Sequence, residues 1–217
     1  MTLVERLRHL LGQAWLSVRL KDSKGYWEDR YRLGMTSGSG SMGALAKFKA
    51  RVLNEFVREQ RVESVIELGC GDGLQLALAE YPSYVGIDVS RTAVDLCRNR
   101  FAGDATKSFV WREDPDRPTR GTLLRADLAL SLDVIYHLLE DDVYFRYLEE
   151  LFGASNQWVI IYSSDAARPT HARHVRHRQF TEDVRRRHPD FRLVRKIENE
   201  LRGESFADFY VFERNSR

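Results

Sequence analysis

Apolar runs of strand length alternate with helical patterns along most of the chain, glycines follow the first of those runs directly, and two strand-like runs close the sequence. Together these observations predict an α/β fold, a mostly parallel sheet with helices on both faces. Parallel neighbours need crossover helices between them, and the glycine-rich turn after the first strand is where such folds receive a ligand. At 217 residues with a formal charge of +2, the chain has the length for one such domain and a substantial core. Residues 1–60 read as N-terminal helices with a Gly/Ser-rich lid and 61–217 as the core, one structural domain overall.

Taking the elements in order, Leu3, Leu7, Leu10, Leu11, Ala14, Trp15 and Val18 recur at helical spacing and predict an amphipathic helix. An aromatic and charged segment follows, Tyr26-Trp27-Glu28-Asp29-Arg30-Tyr31, and then the polar loop Thr36-Ser37-Gly38-Ser39-Gly40-Ser41-Met42-Gly43. That loop reads either as a lid over a ligand or as a linker to a helix over 44–59. Residues 62–68 predict the first strand, 74–80 a helix, and 84–88 a second strand, with Ser90 as N-cap for a helix over 91–100. A third strand over 108–111 leads into a charged loop, 112–121. The run 127–133 predicts a buried fourth strand bounded by carboxylates, 142–152 a helix, and 158–162 a fifth strand. Thr181 is the expected cap of a short basic helix ending before Pro189, and 191–197 and 206–212 predict two closing strands. The sequence shows no internal repeat.

The segment Glu67-Leu68-Gly69-Cys70-Gly71-Asp72-Gly73 is the strongest local signal. Glycines at a strand end let the backbone turn tightly and let a ligand approach where a side chain would block it. A dinucleotide fingerprint would place its third glycine where this chain has Leu74, and would aim a bare helix N-terminus at a pyrophosphate. Glu67 and Asp72 instead bring negative charge, which repels phosphate and suits a ligand carrying positive charge. Asp88, at the tip of the second strand, is placed to accept hydrogen bonds from ribose hydroxyls. The bland alternatives are an incidental Gly-rich turn and a solvated turn acid.

The pattern Glu67-x-Gly69-x-Gly71-x-Gly73, with Asp88 beyond it, resembles motifs I and II of the class I S-adenosylmethionine-dependent methyltransferases. The resemblance spans residues 62–212 and implies a Rossmann-like, seven-stranded, mostly parallel sheet whose last strand is antiparallel. It also implies S-adenosyl-L-methionine as cofactor. The expected cofactor-binding residues are Glu67, Gly69, Cys70, Gly71, Gly73, Asp88, Val89 and Ser131, with Trp27 and Tyr31 from the aromatic segment.

In such a sheet, chemistry gathers beyond the C-terminal ends of the strands, which singles out Asp133, Tyr136 and His137 after the fourth and Ser163, Ser164 and Asp165 after the fifth. Methyl transfer from a sulfonium is an in-line displacement. The protein must align the acceptor and, for a hydroxyl, remove its proton. His137 is the expected catalytic base, with Asp133 orienting it or gripping the acceptor; packing beneath the next helix is the alternative for His137. Tyr136, Tyr162, Asp165, His171, His174 and Arg178 are the expected substrate-binding residues. The basic loop over 170–178 reads as a clamp for a hydroxyl-rich or anionic acceptor, or else as a solvated surface. A divalent cation such as magnesium, shared by Asp133 and Asp165 at adjacent strand ends, stays open.

Four segments, 26–31, 131–138, 159–165 and 174–181, resemble more narrowly the small glycan-associated O-methyltransferases, including those that cap the reducing-end hydroxyl of a short mannoside in methylmannose polysaccharide synthesis. That resemblance implies an oligosaccharide or other small-molecule acceptor; a phenol, amine or carboxylate acceptor and a non-catalytic cofactor-binding role are the alternatives. Excess positive charge sits in one loop rather than on a broad basic face, so nucleic acid is not an expected partner. No apolar run reaches the ~18 residues of a membrane span, and the start of the chain lacks a signal-peptide core. Two cysteines without disulfide or metal spacing suit a cytoplasmic location. A homodimer is compatible with the amphipathic N-terminal segment.

Overall fold

The computed structural model describes residues 22–114, 124–170 and 172–215; the expected helix over 3–18 and His171 lie outside them. Strands β1 (Val65–Leu68), β2 (Tyr84–Asp88), β3 (Lys107–Trp111), β4 (Ala126–Leu132), β5 (Ser155–Ser163), β6 (Phe191–Ile197) and β7 (Asp208–Arg214) form one sheet. Their order is β3-β2-β1-β4-β5-β7-β6. The pairings of β1 through β5 are parallel, whereas β7 runs antiparallel to both β5 and β6. This is the sheet the sequence predicts, with the last strand inserted antiparallel between β5 and β6.

The two faces divide by the strand period of two. Val65, Leu128, Leu130 and Ile160 pack on one side with Phe48, Val52, Leu53, Phe56 and Val57 of α2 (Gly43–Glu59). Ile66, Ala129, Val159 and Ile161 pack on the other with Tyr144, Tyr147, Leu148 and Leu151 of α4 (Asp141–Gly153) and with Phe180 and Val184 of α5 (Phe180–Arg187). Strands covered on both faces read as continuous apolar runs, which is why β4 and β5 carry no polar alternation.

The structure adds one helix and corrects several boundaries. Helix α1 (Ser23–Arg32) occupies the aromatic segment, and Asp22 caps it by accepting from the Gly25 N–H at 2.6 Å. The predicted helix over 74–80 is only a 3-10 turn, Leu76–Leu78, because Ala79 is already extended ahead of Pro82. Helix α3 (Arg91–Arg100) starts as expected, with the Ser90 hydroxyl accepting from the Ala93 N–H at 3.1 Å. Thr181 does not cap α5, which begins at Phe180 with Gln179 ahead of it. β7 begins at Asp208 rather than at residue 206; Phe206 is exposed beneath the Arg168 guanidinium.

Candidate active site

The glycine turn after β1 is shaped by two close approaches. Gly69 has φ +86°, and a Cβ there would come 2.5 Å from Val134 Cγ2. Gly71 has φ +59°, and a Cβ there would come 2.4 Å from Ser37 Oγ. Both positions demand glycine on conformation and on space. Cys70 faces the core, so it offers the turn only its backbone; contact with the Cys97 thiol and burial push its own thiol up.

Asp88 closes the turn from the end of β2. Its Oδ2 accepts from the Gly71 N–H at 2.9 Å and its Oδ1 from the Ser90 N–H at 2.8 Å. Burial pushes its carboxyl up to about 6, against the lowering effect of those backbone donors. The following residue, Val89, accepts from Trp111 Nε1 at 3.1 Å. Glu67 lies deeper, accepting from the Tyr84 hydroxyl at 2.6 Å, and burial pushes it up to about 7 despite Tyr84 and the Lys49 charge. Gly73 sits over Cys97 and Phe101.

Helix α1 and the loop after it cover this turn. Glu28 accepts from the Ser90 and Thr92 hydroxyls, each at 2.7 Å, which puts a carboxylate at the N-terminus of α3 where the helix dipole favours it. Asp72 accepts from the Ser37 N–H at 3.0 Å and from its hydroxyl at 2.8 Å, while the Tyr31 hydroxyl lies 2.9 Å from Ser37 Oγ. Tyr31 is therefore held over Gly71, and Trp27 packs between Tyr31 and His137 at centroid distances of 5.9 and 4.9 Å. The loop expected as lid or linker thus lies on the glycine turn.

At the end of β4, Asp133 adopts φ +60°, a strained conformation for a residue with a side chain. Its Oδ2 accepts from Lys49 Nζ at 2.6 Å and its Oδ1 from the Tyr136 hydroxyl at 2.6 Å. Lys49 is fully buried on α2 and lies 5.3 Å from the Tyr162 ring. Asp133 does not hold His137 by a hydrogen bond. Instead His137 Nδ1 lies 2.8 Å from the His174 carbonyl. A carbonyl only accepts, so Nδ1 carries the proton and Nε2 keeps its lone pair. Burial lowers this imidazole to about 4, offset in part by that hydrogen bond, so the ring is neutral near pH 7.

The remaining expected residues divide. His174 joins the cluster, stacking on Tyr26 at 4.8 Å and on His137 at 5.4 Å. His177 Nδ1 lies 2.6 Å from Ser164 Oγ, and its ring tilts against Tyr136. Ser131 is buried below the turn, where the Tyr147 hydroxyl bridges it and the Leu68 carbonyl. Tyr162 is buried against Phe209. Asp165 accepts from the Thr181 N–H and hydroxyl at 3.0 and 2.6 Å, and so anchors α5. Arg178 donates to the Leu138 and Leu139 carbonyls and to Asp141. These four are tied to the scaffold rather than gathered with His137, because each finds a partner in the packed interior or at a helix end. Asp133 and Asp165 engage separate partners, and among the described residues no group of three or more His, Cys, Asp or Glu is placed to hold a metal ion.

Sequence reasoning missed Lys49, Glu28, Ser37 and Arg30. A signal existed for Lys49: it shares helical spacing with Leu45, Val52 and Phe56, all buried, so periodicity places its charge inside and requires a carboxylate partner.

A family profile described as a methyltransferase domain matches residues 42–206. No curated protein matches by sequence. Among solved structures, the methyltransferase domain of bacterial CtHen1-C superposes with TM-score 0.62 at 19% identity, over 78% of this chain and 98% of that one. Magnesium protoporphyrin IX methyltransferase (ChlM) from Synechocystis PCC 6803, with bound SAM, gives 0.63 at 16% identity, over 89% and 98%. The N-methyltransferase NodS from Bradyrhizobium japonicum WM9, in complex with S-adenosyl-L-homocysteine, gives 0.58 at 18% identity, over 78% and 86%. At these identities the likeness is one of fold, a Rossmann-like methyltransferase sheet. No described helix is long and apolar enough to cross a membrane.

Proposed function

The chain belongs to the methyltransferase-domain family, and from that premise we propose that it is an S-adenosyl-L-methionine-dependent O-methyltransferase acting on a hydroxyl of a small, sugar-like acceptor. The observation that carries the hydroxyl reading is the His137 imidazole, neutral and fixed with its Nε2 lone pair free of hydrogen bonds among the described residues.

The site fits the cofactor by its own chemistry. Gly69 and Gly71 leave backbone that a ligand can approach, Asp88 offers carboxylate oxygens at the end of β2 for ribose hydroxyls, and Glu67 and Asp72 supply negative charge beneath a cationic ligand. When bound, the cofactor supplies a methyl group activated by a positively charged sulfur. Tyr31 and Ser37 lie on Gly71, so α1 and its loop lift to admit the ligand and return to exclude water, with Glu28 latching on Ser90 and Thr92.

His137 Nε2 takes the proton from the acceptor hydroxyl as the oxygen acquires the methyl group. Tyr136, held by Asp133, and the stacked rings of Tyr26 and His174 form the faces against which a sugar ring is positioned. Asp133 thus acts by positioning Tyr136 and gripping the acceptor. The narrower resemblance makes the reducing-end hydroxyl of a short, partly methylated mannoside the first acceptor to try.

The deciding experiment is a screen with methyl-labelled donor against short mannosides, phenols, amines and RNA. Label on a hydroxyl of a mannoside, lost in His137→Gln, supports the proposal. Label only on amines or RNA overturns the acceptor class, and failure of the protein to bind the donor by calorimetry overturns the cofactor.

A further inference from the structure

Arg30 is a buried cation without a counter-charge. The residue is 8% exposed. Its Nε donates to the Thr36 carbonyl at 2.7 Å and its Nη1 makes a long contact of 3.4 Å to the Tyr26 hydroxyl. No carboxylate pairs with it among the described residues, and its Nη2 has no hydrogen bond there. Withdrawing most of a guanidinium from water without an anion is disfavoured, and such a site is a candidate for recognition of one.

Its surroundings say where that charge acts. The guanidinium lies 5.6 Å from the Trp27 ring, and Trp27 packs edge-on against His137. Tyr26, its other neighbour, stacks on His174. After burial, the Arg30 charge is a further influence holding His137 and His174 low. Next to Nη2 the chain is a glycine: a Cβ on Gly38 would meet Nη2 at 3.8 Å and no other described atom within 4 Å. Gly38 thus lies beside the donor, where a Cβ would make ordinary van der Waals contact with Nη2. Arg176 and Arg178, the sequence's choice for a clamp, have their guanidinium groups tied to Asp141 and to backbone carbonyls.

We propose that Arg30 recognises an anionic group, a carboxylate or a phosphate, on the acceptor, so that the substrate carries both a hydroxyl to be methylated and a negative charge to be gripped. This rests on the hydroxyl-acceptor reading above and narrows it to acceptors that also carry an anionic group, in place of a neutral mannoside. The planar guanidinium suits two-point contact with either anion, and the anion supplies the missing counter-charge when the acceptor binds.

The test measures binding, so it is separate from the methyl-transfer screen. Protein saturated with S-adenosyl-L-homocysteine is titrated calorimetrically with three pairs: glucuronate and glucose, mannose 6-phosphate and mannose, 4-hydroxybenzoate and phenol. The first and third pairs report a carboxylate, the second a phosphate. In the unaltered protein the anionic member of at least one pair binds at least about tenfold more tightly. Arg30→Gln abolishes that preference, with affinity for S-adenosyl-L-homocysteine kept within about twofold, and Arg30→Lys restores part of it. A readout that needs no variant is the His137 titration by NMR, which moves upward from about 4 when the anionic member is added and stays put with the neutral one. The proposal is overturned if no pair shows the preference, if the preference survives Arg30→Gln, or if that substitution weakens S-adenosyl-L-homocysteine instead, which would assign Arg30 to the donor's own carboxylate.

Discussion

Replacing Glu67 by Gln should stabilise the fold at pH 8 while weakening cofactor binding, two effects of opposite sign from one carboxylate. Glu67 is buried, and burial raises it from the ordinary 4.5 to about 7. Below 4.5 the folded and unfolded chains both hold this proton. As pH rises, the unfolded chain releases it first and the folded chain keeps it until about 7, so stability is lost across that interval. An interval of this size corresponds to roughly 3 kcal/mol. Gln keeps an oxygen for the Tyr84 hydroxyl to donate to, but carries no charge. Urea unfolding followed by tryptophan fluorescence should therefore find the Gln variant up to about 3 kcal/mol more stable than the parent at pH 8, and within about 1 kcal/mol of it at pH 5. Calorimetry on the same samples should find weaker binding of S-adenosyl-L-methionine. A Gln variant no more stable than the parent at pH 8, or a gain equal at both pH values, would refute the reasoning, because it would mean that the ionised carboxylate is not held at a cost in the fold.

Other substitutions test other parts of the site. His137→Gln should lower methyl transfer by about 10²–10⁴-fold with donor affinity unchanged, and because this ring titrates near 4, the parent's rate should show no His137 limb between about pH 6 and 8. Asp88→Ala should weaken donor binding at least about tenfold by calorimetry, since it removes the carboxylate that closes the Gly71 turn and that we propose holds the ribose hydroxyls. Lys49→Met should cost about 3 kcal/mol in urea unfolding by stranding Asp133, and the double variant with Asp133→Asn should recover part of that loss. Gly71→Ala should abolish donor binding in a folded protein, as its Cβ would collide with Ser37 Oγ in a backbone conformation that disfavours any side chain.

What could be read from the sequence is what depends on near neighbours. β2, α3 and β6 fall within the limits their patterns predict, because a strand period, an N-cap serine or a flanking turn is encoded within a few residues. The glycine turn and Asp88 belong to the same class: the short β1–turn–β2 unit holds them both. Helix α1 escaped because it buries Tyr26, Tyr31 and Arg30 rather than an aliphatic stripe, so its periodicity is that of a polar segment; Asp22 as a capping residue was the available clue. The segment over 74–80 misled for the converse reason. Its Leu and Ala residues are good helix formers, yet Leu74, Leu76 and Leu78 alternate at a spacing of two, and the chain is already extended at Ala79.

The acceptor side resisted reading because composition reports how many charges a segment holds, not where each finds its partner. Arg176 and Arg178 lie in the most basic stretch, but the N-terminal turn of α4 presents Asp141 to them and the chain before it presents two carbonyls, so the charge of each already has a carboxylate partner. Lys49 reads as one of several surface lysines until helical spacing turns it toward Asp133. Arg30 reads as one of several helix-surface arginines until α1 folds over the glycine turn and buries it. For the lysine and the loop arginines the decisive fact is a contact between residues distant in sequence: Lys49 and Asp133 are 84 positions apart, and Arg176 and Asp141 are 35. The charge that remains unmet once those pairings are made is the one we propose for recognition, and at this site it belongs to α1, the element that the proposed function has lifting to admit a ligand. On that proposal acceptor binding and closure of α1 over the glycine turn are coupled, since an anion that drew Arg30 into place would also return Tyr31 and Glu28 to Gly71 and Ser90.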